Sequence, residues 1–121
     1  MQKPTGFSKQ QRLLNSTEFS AVFDNASIKV SNRYFLILAK ANSLDHGRLG
    51  LVVAKKNCKL AVSRNLVKRI TRESFRAQQH HLIGIDAIVL ARKGLENLSN
   101  QDIHQQLDAL WLKVQKKAQA S

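Results

Sequence analysis

The stretch Lys55–Arg76, KKNCKLAVSRNLVKRITRESFR, constrains the fold more than any other part of the chain. Eight Lys and Arg residues stand in it against one acid, Glu73, so it carries +7 of the chain's formal +12. Read as a helix from about Leu60, it places Arg64, Lys68, Arg72 and Arg76 at successive i+4 positions, with Asn65 and Arg69 beside them. At 3.6 residues per turn these six fall within about 140° of arc. Leu60, Val62, Leu66, Val67, Ile70 and Ala77 occupy the rest of the wheel, with Ser63 and Ser74. Like charges at i+4 cost an isolated helix about 0.2–0.5 kcal/mol per pair. Four stacked cations therefore point to an anionic partner. The aliphatic back of the helix suits packing on a sheet, whereas a helix lying on a membrane usually carries bulky Trp, Phe or Leu there.

Twenty Lys and Arg against eight Asp and Glu, with a pI near 10.5, attract polyanions, nucleic acid first and anionic membrane second. The 121 residues suit a single domain, 1–121, with one core. The N-terminal MQKPTGFSKQQRLLN has no apolar signal-like segment, and no apolar run reaches the roughly 18–20 residues that span a bilayer. The single Cys58 excludes an intrachain disulfide and a cysteine metal cluster, and the expected location is the cytoplasm.

Residues 1–12 read as an extended basic arm anchored by Phe7. A first helix is expected from Ser16, with Ser16 and Thr17 as capping residues and Phe19, Val22 and Phe23 at i, i+3 and i+4. Ile28–Val30 reads as a short strand. Tyr34–Ala41 reads as a second, with Tyr34, Leu36 and Leu38 on one face and Phe35, Ile37 and Ala39 on the other. Asn42–Gly47 is expected to be a hairpin loop, making Arg48–Ala54 the antiparallel partner, with Gly50 marking a bulge or a close backbone approach. After the basic helix, Ile85–Arg92 reads as a strand that must lie parallel to an earlier one. Ser99 then caps a last helix with Ile103, Leu107, Leu110, Trp111 and Val114 on one face, and 116–121 should fray. The order αβββαβα gives a two-layer α+β sandwich: helices on a mixed four-stranded sheet.

Protein-borne catalysis finds little support. His80 and His81 are adjacent, so on a helix they point about 100° apart and cannot converge on one atom. The carboxylates are scattered, without a pair spaced to hold Mg²⁺, and no metal site is expected in the protein. Cys58 lies among lysines but has no identifiable His partner and reads as a small residue at a strand-to-helix turn. RNA binding is better supported. Arg64, Lys68, Arg69, Arg72 and Arg76 can meet a phosphate ridge, with Asn65 bracing a sugar or base edge. Phe19, Phe23, Tyr34 and Leu36 can form an apolar platform for unstacked bases, although Phe pairs at this spacing more often belong to a core.

The same residues resemble the signature of the bacterial ribonuclease P protein family. Ala61, Arg64-Asn65, Lys68-Arg69 and Arg72-Glu73 stand at the positions of its RNR motif, after the basic pair Lys55-Lys56. Phe7, Arg12-Leu13, Glu18-Phe19, Val22-Phe23, Asn32-Arg33-Tyr34-Phe35 and Ala91-Arg92-Lys93 also match, so the likeness runs from Phe7 to Trp111. Two departures stand out: Asn57-Cys58-Lys59-Leu60 replaces a turn that often holds Gly, and Leu38 replaces an aromatic found in some members. The resemblance implies a left-handed crossover around the basic helix, a fold like the second domain of ribosomal protein S5. It also implies chemistry that belongs to a partner RNA, which removes the 5′ leader of precursor tRNA using RNA-bound Mg²⁺, with one protein per RNA. Lys59, Arg64, Asn65, Lys68, Arg69, Arg72 and Arg76 would dock the catalytic RNA. Phe19, Phe23, Tyr34, Leu36, Lys55, Lys56, Arg92 and Lys93 would hold the leader. The alternatives are a non-enzymatic RNA-binding protein such as a ribosomal protein, and an autonomous ribonuclease using His80 or His81.

Overall fold

The computed structural model describes residues 11–13 and 15–120; Phe7 and the rest of the expected arm up to Gln10 lie outside them. Helix α1 (Ser16–Asn25) is followed by strands β1 (Ile28–Ser31), β2 (Phe35–Ala41) and β3 (Arg48–Val52). Helix α2 (Ala61–Ala77) runs into a 3₁₀ turn at Gln79–His81, and strand β4 (Ile85–Ala91) leads to helix α3 (Asn100–Ala120). The N-cap of α1 is Asn15 rather than Ser16: its Oδ1 accepts the Glu18 amide at 2.9 Å. Ser99 Oγ accepts the Asp102 amide at 3.1 Å, as expected for the start of α3. Helix α3 continues through Lys116–Ala120, where the sequence suggests fraying, because Ala118 still packs on the core.

The strand order is β1-β2-β4-β3, with β1–β2 and β2–β4 antiparallel and β3–β4 parallel. The expected β2–β3 hairpin does not form, because β4 inserts between the two strands. Two features explain this. Asn42 ties the β2–β3 loop to the start of β4, its amide donating to Gly84 O at 2.8 Å and its Nδ2 to Asp86 Oδ1 at 2.8 Å. The nearly continuous burial of Ile85–Ala91 is that of a central strand covered on both sides. The parallel placement of β4 follows the expectation, with β3 as its partner.

One side of the sheet packs on α2 and α3. Phe35, Ile37 and Ala39 from β2 meet Ala87, Val89 and Ala91 from β4, under Val67, Ile70, Phe75, Leu107, Leu110 and Trp111. Phe75 and Trp111 meet edge to face with centroids 5.5 Å apart. All five α3 residues assigned to its apolar face are buried. In α2 the buried residues are Val67, Ile70, Thr71, Ser74 and Phe75, whereas Leu60 and Val62, expected to face the sheet, are 62% and 73% exposed. The helix is rolled so that Arg64 and Lys68 border its buried side.

The β3–α2–β4 crossover is left-handed. Leu49 sends its side chain into the helix layer and its carbonyl outward to the Leu13 amide at 3.0 Å, away from β4. For an L-residue, that places β4 to the left of β3 when the strands point up and the helices face the viewer. Parallel crossovers are right-handed in about 98% of cases, so this topology is a marked exception.

Helix α1 lies on the opposite side of the sheet, over a small cluster of Leu13, Val22 and Ile88 joined by Phe19, Leu38, Val52 and Leu90. Gly50 allows the contact: a Cβ there would stand 2.7 Å from the Phe19 ring and 3.1 Å from Leu13. The close approach expected at Gly50 is thus made by a side chain. Gly50→Ala should displace Phe19 and lower stability by about 1–2 kcal/mol, measured by urea denaturation.

Candidate nucleic-acid interface

Two adjoining surfaces can meet RNA. The first is the flank of α2. Arg64, Lys68, Arg72 and Arg76 line up along it, with Asn65 and Arg69 exposed beside them and Lys59 exposed in the turn before the helix. Arg64 also braces that turn, its Nη1 donating to the carbonyls of Cys58 at 3.0 Å and Lys59 at 2.8 Å. It thereby ties down the turn Asn57-Cys58-Lys59-Leu60 ahead of the helix. Arg69 and Glu73 form a loose, exposed pair at 3.9 Å. Arg72 lines a hollow of about 180 Å³ at the β3 edge with Arg12, Leu13, Phe19, Leu49, Gly50 and Leu51. Burial there, and then the charge of Arg12, lowers the Arg72 pKa from the ordinary arginine value.

The second surface is the part of the sheet that α1 leaves open. Register places Ser31, Leu36, Leu90 and Val52 in one row across the four strands, the last three half-buried. Tyr34, expected to begin the second strand, lies just before β2 and packs against the main core cluster beyond the end of this row, and its carbonyl accepts the Arg92 amide at 2.8 Å. The Tyr34 ring sits against Gly94, where a Cβ would be 3.4 Å from it, and the Arg33 guanidinium stands 5.7 Å from its centroid. Lys55 and Lys56 leave β3, and Arg92 and Lys93 leave β4, at the same end of the sheet. Asn57 Nδ2 joins the two exits by donating to Ala91 O at 3.0 Å. Arg92 is steadied by Nη1 donating to Asn32 O at 3.0 Å. Phe23, one turn beyond Phe19, is 44% exposed. Phe19 is shared between the core and this surface.

The fold thus brings together both groups of residues singled out in the sequence. It adds Leu90 and Val52, whose place in the floor is hidden by the expected β2–β3 pairing. Arg12 is a further addition to the site, marked in the sequence by its charge and by the match of Arg12-Leu13 to the family pattern.

A third feature holds α1 in place. Asp86, 3% exposed, accepts from Arg48 Nε at 2.9 Å and Nη2 at 2.7 Å, and from Asn42 Nδ2 at 2.8 Å. The remaining Arg48 nitrogen, Nη1, donates to Glu18 Oε2 at 2.9 Å. Burial alone would raise the Asp86 pKa, but the hydrogen bonds from Arg48 and Asn42 outweigh it and hold the carboxyl below the ordinary range. Arg48 is raised in turn, chiefly by its bond to Asp86.

The residues weighed for protein-borne catalysis are not brought together. His80 and His81 are both exposed on the 3₁₀ turn, and His80 borders a shallow hollow with Asp45, His46 and Gln79. Burial, and then Glu96, pushes the Cys58 thiol up from its ordinary value, which disfavours the thiolate. Among the described residues no group of three or more His, Cys, Asp or Glu could hold a metal, and no helix is long and apolar enough to cross a membrane.

A mixed sheet with one side half open, walled by an aromatic helix and edged by a polycationic one, defines an α/β RNA-binding protein. The ribonuclease P family model matches residues 7–115. The ribonuclease P protein component of Pseudomonas aeruginosa is 53% identical over 108 residues, which span 89% of this chain and 80% of that protein. The counterpart in Saccharophagus degradans is 55% identical over 113 residues, spanning 93% and 84%. The solved RNase P protein of Staphylococcus aureus superposes with a TM-score of 0.78 at 32% identity, covering 86% of this chain and 94% of its own. That of Thermotoga maritima gives 0.72 at 33%, covering 82% and 93%. The chain belongs to the ribonuclease P protein family.

Proposed function

We infer that the chain is the protein component of ribonuclease P, the ribonucleoprotein endonuclease that removes the 5′ leader of precursor tRNA. The observation that carries the detailed reading is the adjacency of the two surfaces around the β3 edge. Arg72 shares a hollow with Phe19 and Gly50, so the cationic flank of α2 and the open sheet are neighbours with different orientations. One chain can then hold two RNA segments side by side. Lys59, Arg64, Asn65, Lys68, Arg69, Arg72 and Arg76 dock on the catalytic RNA. Leu36, Leu90 and Val52 floor the path of the single-stranded leader, with Tyr34 at its end, Phe19 and Phe23 at its wall and Lys55, Lys56, Arg92 and Lys93 on its phosphates.

On this reading the protein is not the catalyst. It aligns the leader and screens phosphate repulsion, while cleavage and Mg²⁺ binding belong to the RNA, with one protein per RNA and a cytoplasmic site of action. Two carboxylates beside the cleft wall, Asp86 and Glu18, are engaged by Arg48, in keeping with that division. Adding the purified protein to its cognate catalytic RNA at low Mg²⁺ should raise precursor-tRNA cleavage strongly. No gain would refute the assignment.

Phe23 gives a cleaner test of the leader path than Phe19, whose loss also empties the contact with Gly50. Phe23→Ala should reduce the preference for leader-bearing over mature tRNA by about tenfold, the order of one lost base–aromatic stack. Equilibrium binding of both RNAs to the reconstituted holoenzyme measures it.

A further inference from the structure

We propose that Glu18 and Arg48 are positioning residues for the 5′ leader: the Arg48 guanidinium, fixed on the sheet by Asp86, clamps the first turn of α1 through Glu18 and so sets the wall of the leader cleft. The proposal rests on the leader lying in that cleft.

Among the described residues of α1 only Val22 is buried, so apolar burial alone holds the helix weakly. Its other attachments are Phe19 seated over Gly50 and the Glu18–Arg48 pair. The three anchors differ in kind. Apolar contacts at Val22 and Phe19 allow the helix to slide or roll at small cost, because dispersion has little directionality. A charge-assisted hydrogen bond to a planar fork does not. Arg48 is itself immobile: two of its nitrogens are held by a carboxylate on the neighbouring strand, where Arg48 and Asp86 are register partners. Asn42 and Arg48 together engage both Asp86 oxygens. Of the Arg48 nitrogens, Nη1 is the one that passes this rigidity on to α1. Glu18 lies in the same turn that Asn15 caps, one turn before the exposed Phe23. An error in the tilt of that first turn shifts Phe23 relative to the Leu36–Leu90–Val52 floor.

The test uses the reconstituted holoenzyme with a precursor carrying a several-nucleotide leader and with mature tRNA. Glu18→Ala should raise KM for the precursor by about tenfold, the loss expected for one partly exposed charge-assisted bond. Its kcat and its affinity for mature tRNA should stay near those of the wild type. Glu18→Gln keeps an acceptor for Nη1 and should restore most of the preference. Arg48→Lys keeps a cation for Asp86 but cannot fork to Glu18, and should behave like Glu18→Ala. A leader preference untouched in both Glu18→Ala and Arg48→Lys would overturn the clamp, as would equal weakening of precursor and mature tRNA. A wild-type holoenzyme without any leader preference would instead refute the leader path itself.

Discussion

Asp86→Ala is expected to lower the stability of the fold by about 3 kcal/mol, the low end for breaking one partner out of a buried ion pair. The Asp86 carboxylate is almost fully enclosed and Arg48 is not, with side-chain exposures of 4% and 22%, which keeps the figure from the top of that range. What is lost is more than an attraction. Arg48 would remain beneath α1 with two unpaired nitrogens, and Asn42 would lose its anchor on β4. Urea denaturation at neutral pH measures the change. Acid should reproduce part of the effect. A carboxyl whose folded pKa lies below its unfolded value stabilises the fold fully above about pH 4, and that contribution fades as pH falls through the depressed value. Wild-type stability should therefore decline in acid more steeply than that of Asp86→Ala.

Arg72→Ala should weaken binding to the catalytic RNA by about 1–3 kcal/mol, roughly 5- to 150-fold, and reduce the salt slope by about one. Arg72 stands where the two surfaces meet and is half-buried, so a phosphate contact there would be screened less than one at the exposed Arg69. The similar change at Arg64 would confound two effects, since Arg64 also holds the carbonyls of Cys58 and Lys59. Titration of the RNA across a range of salt concentrations separates a phosphate contact from a structural one. An affinity loss with an unchanged salt slope would show that Arg72 never meets phosphate.

The helices are legible in the sequence because their periodicity is local. The i, i+3, i+4 spacing of α3 marks its buried stripe, and the i+4 cations mark α2. The roll of α2 is less legible. A wheel built on hydrophobicity assigns Leu60 and Val62 to the core, but the last turns decide: Thr71 hides its hydroxyl by donating to Val67 O at 2.7 Å, and Phe75 packs on Trp111. That roll exposes the N-terminal apolar residues. Strand order is not legible at all from neighbours in sequence. Tyr34–Ala41 and Arg48–Ala54 look like a hairpin, and only the loop's bonds to Gly84 and Asp86 reveal the strand between them. The basic half of the site can be read directly, since it lies on one helix. The floor of the open sheet can be read only in part: Leu36 stands in a strand visible in the sequence, but Leu90 and Val52 join it through long-range pairing. Arg48 gives no signal, because its worth depends on Asp86 and Glu18, 38 and 30 residues away.

Site-specific crosslinking tests the two-surface account most directly. Single cysteines at Ser20, exposed on α1 near Phe23, and at Val62, exposed on α2 near Asn65 and Arg69, would each carry a photoreactive label. Cys58 is fully buried and its thiol disfavours ionisation, so it should not compete for the label. In the reconstituted holoenzyme bound to precursor tRNA, the Ser20 label should crosslink to the 5′ leader and the Val62 label to the catalytic RNA. Crosslinks from Val62 to the leader, or from both positions to the same RNA, would contradict the account.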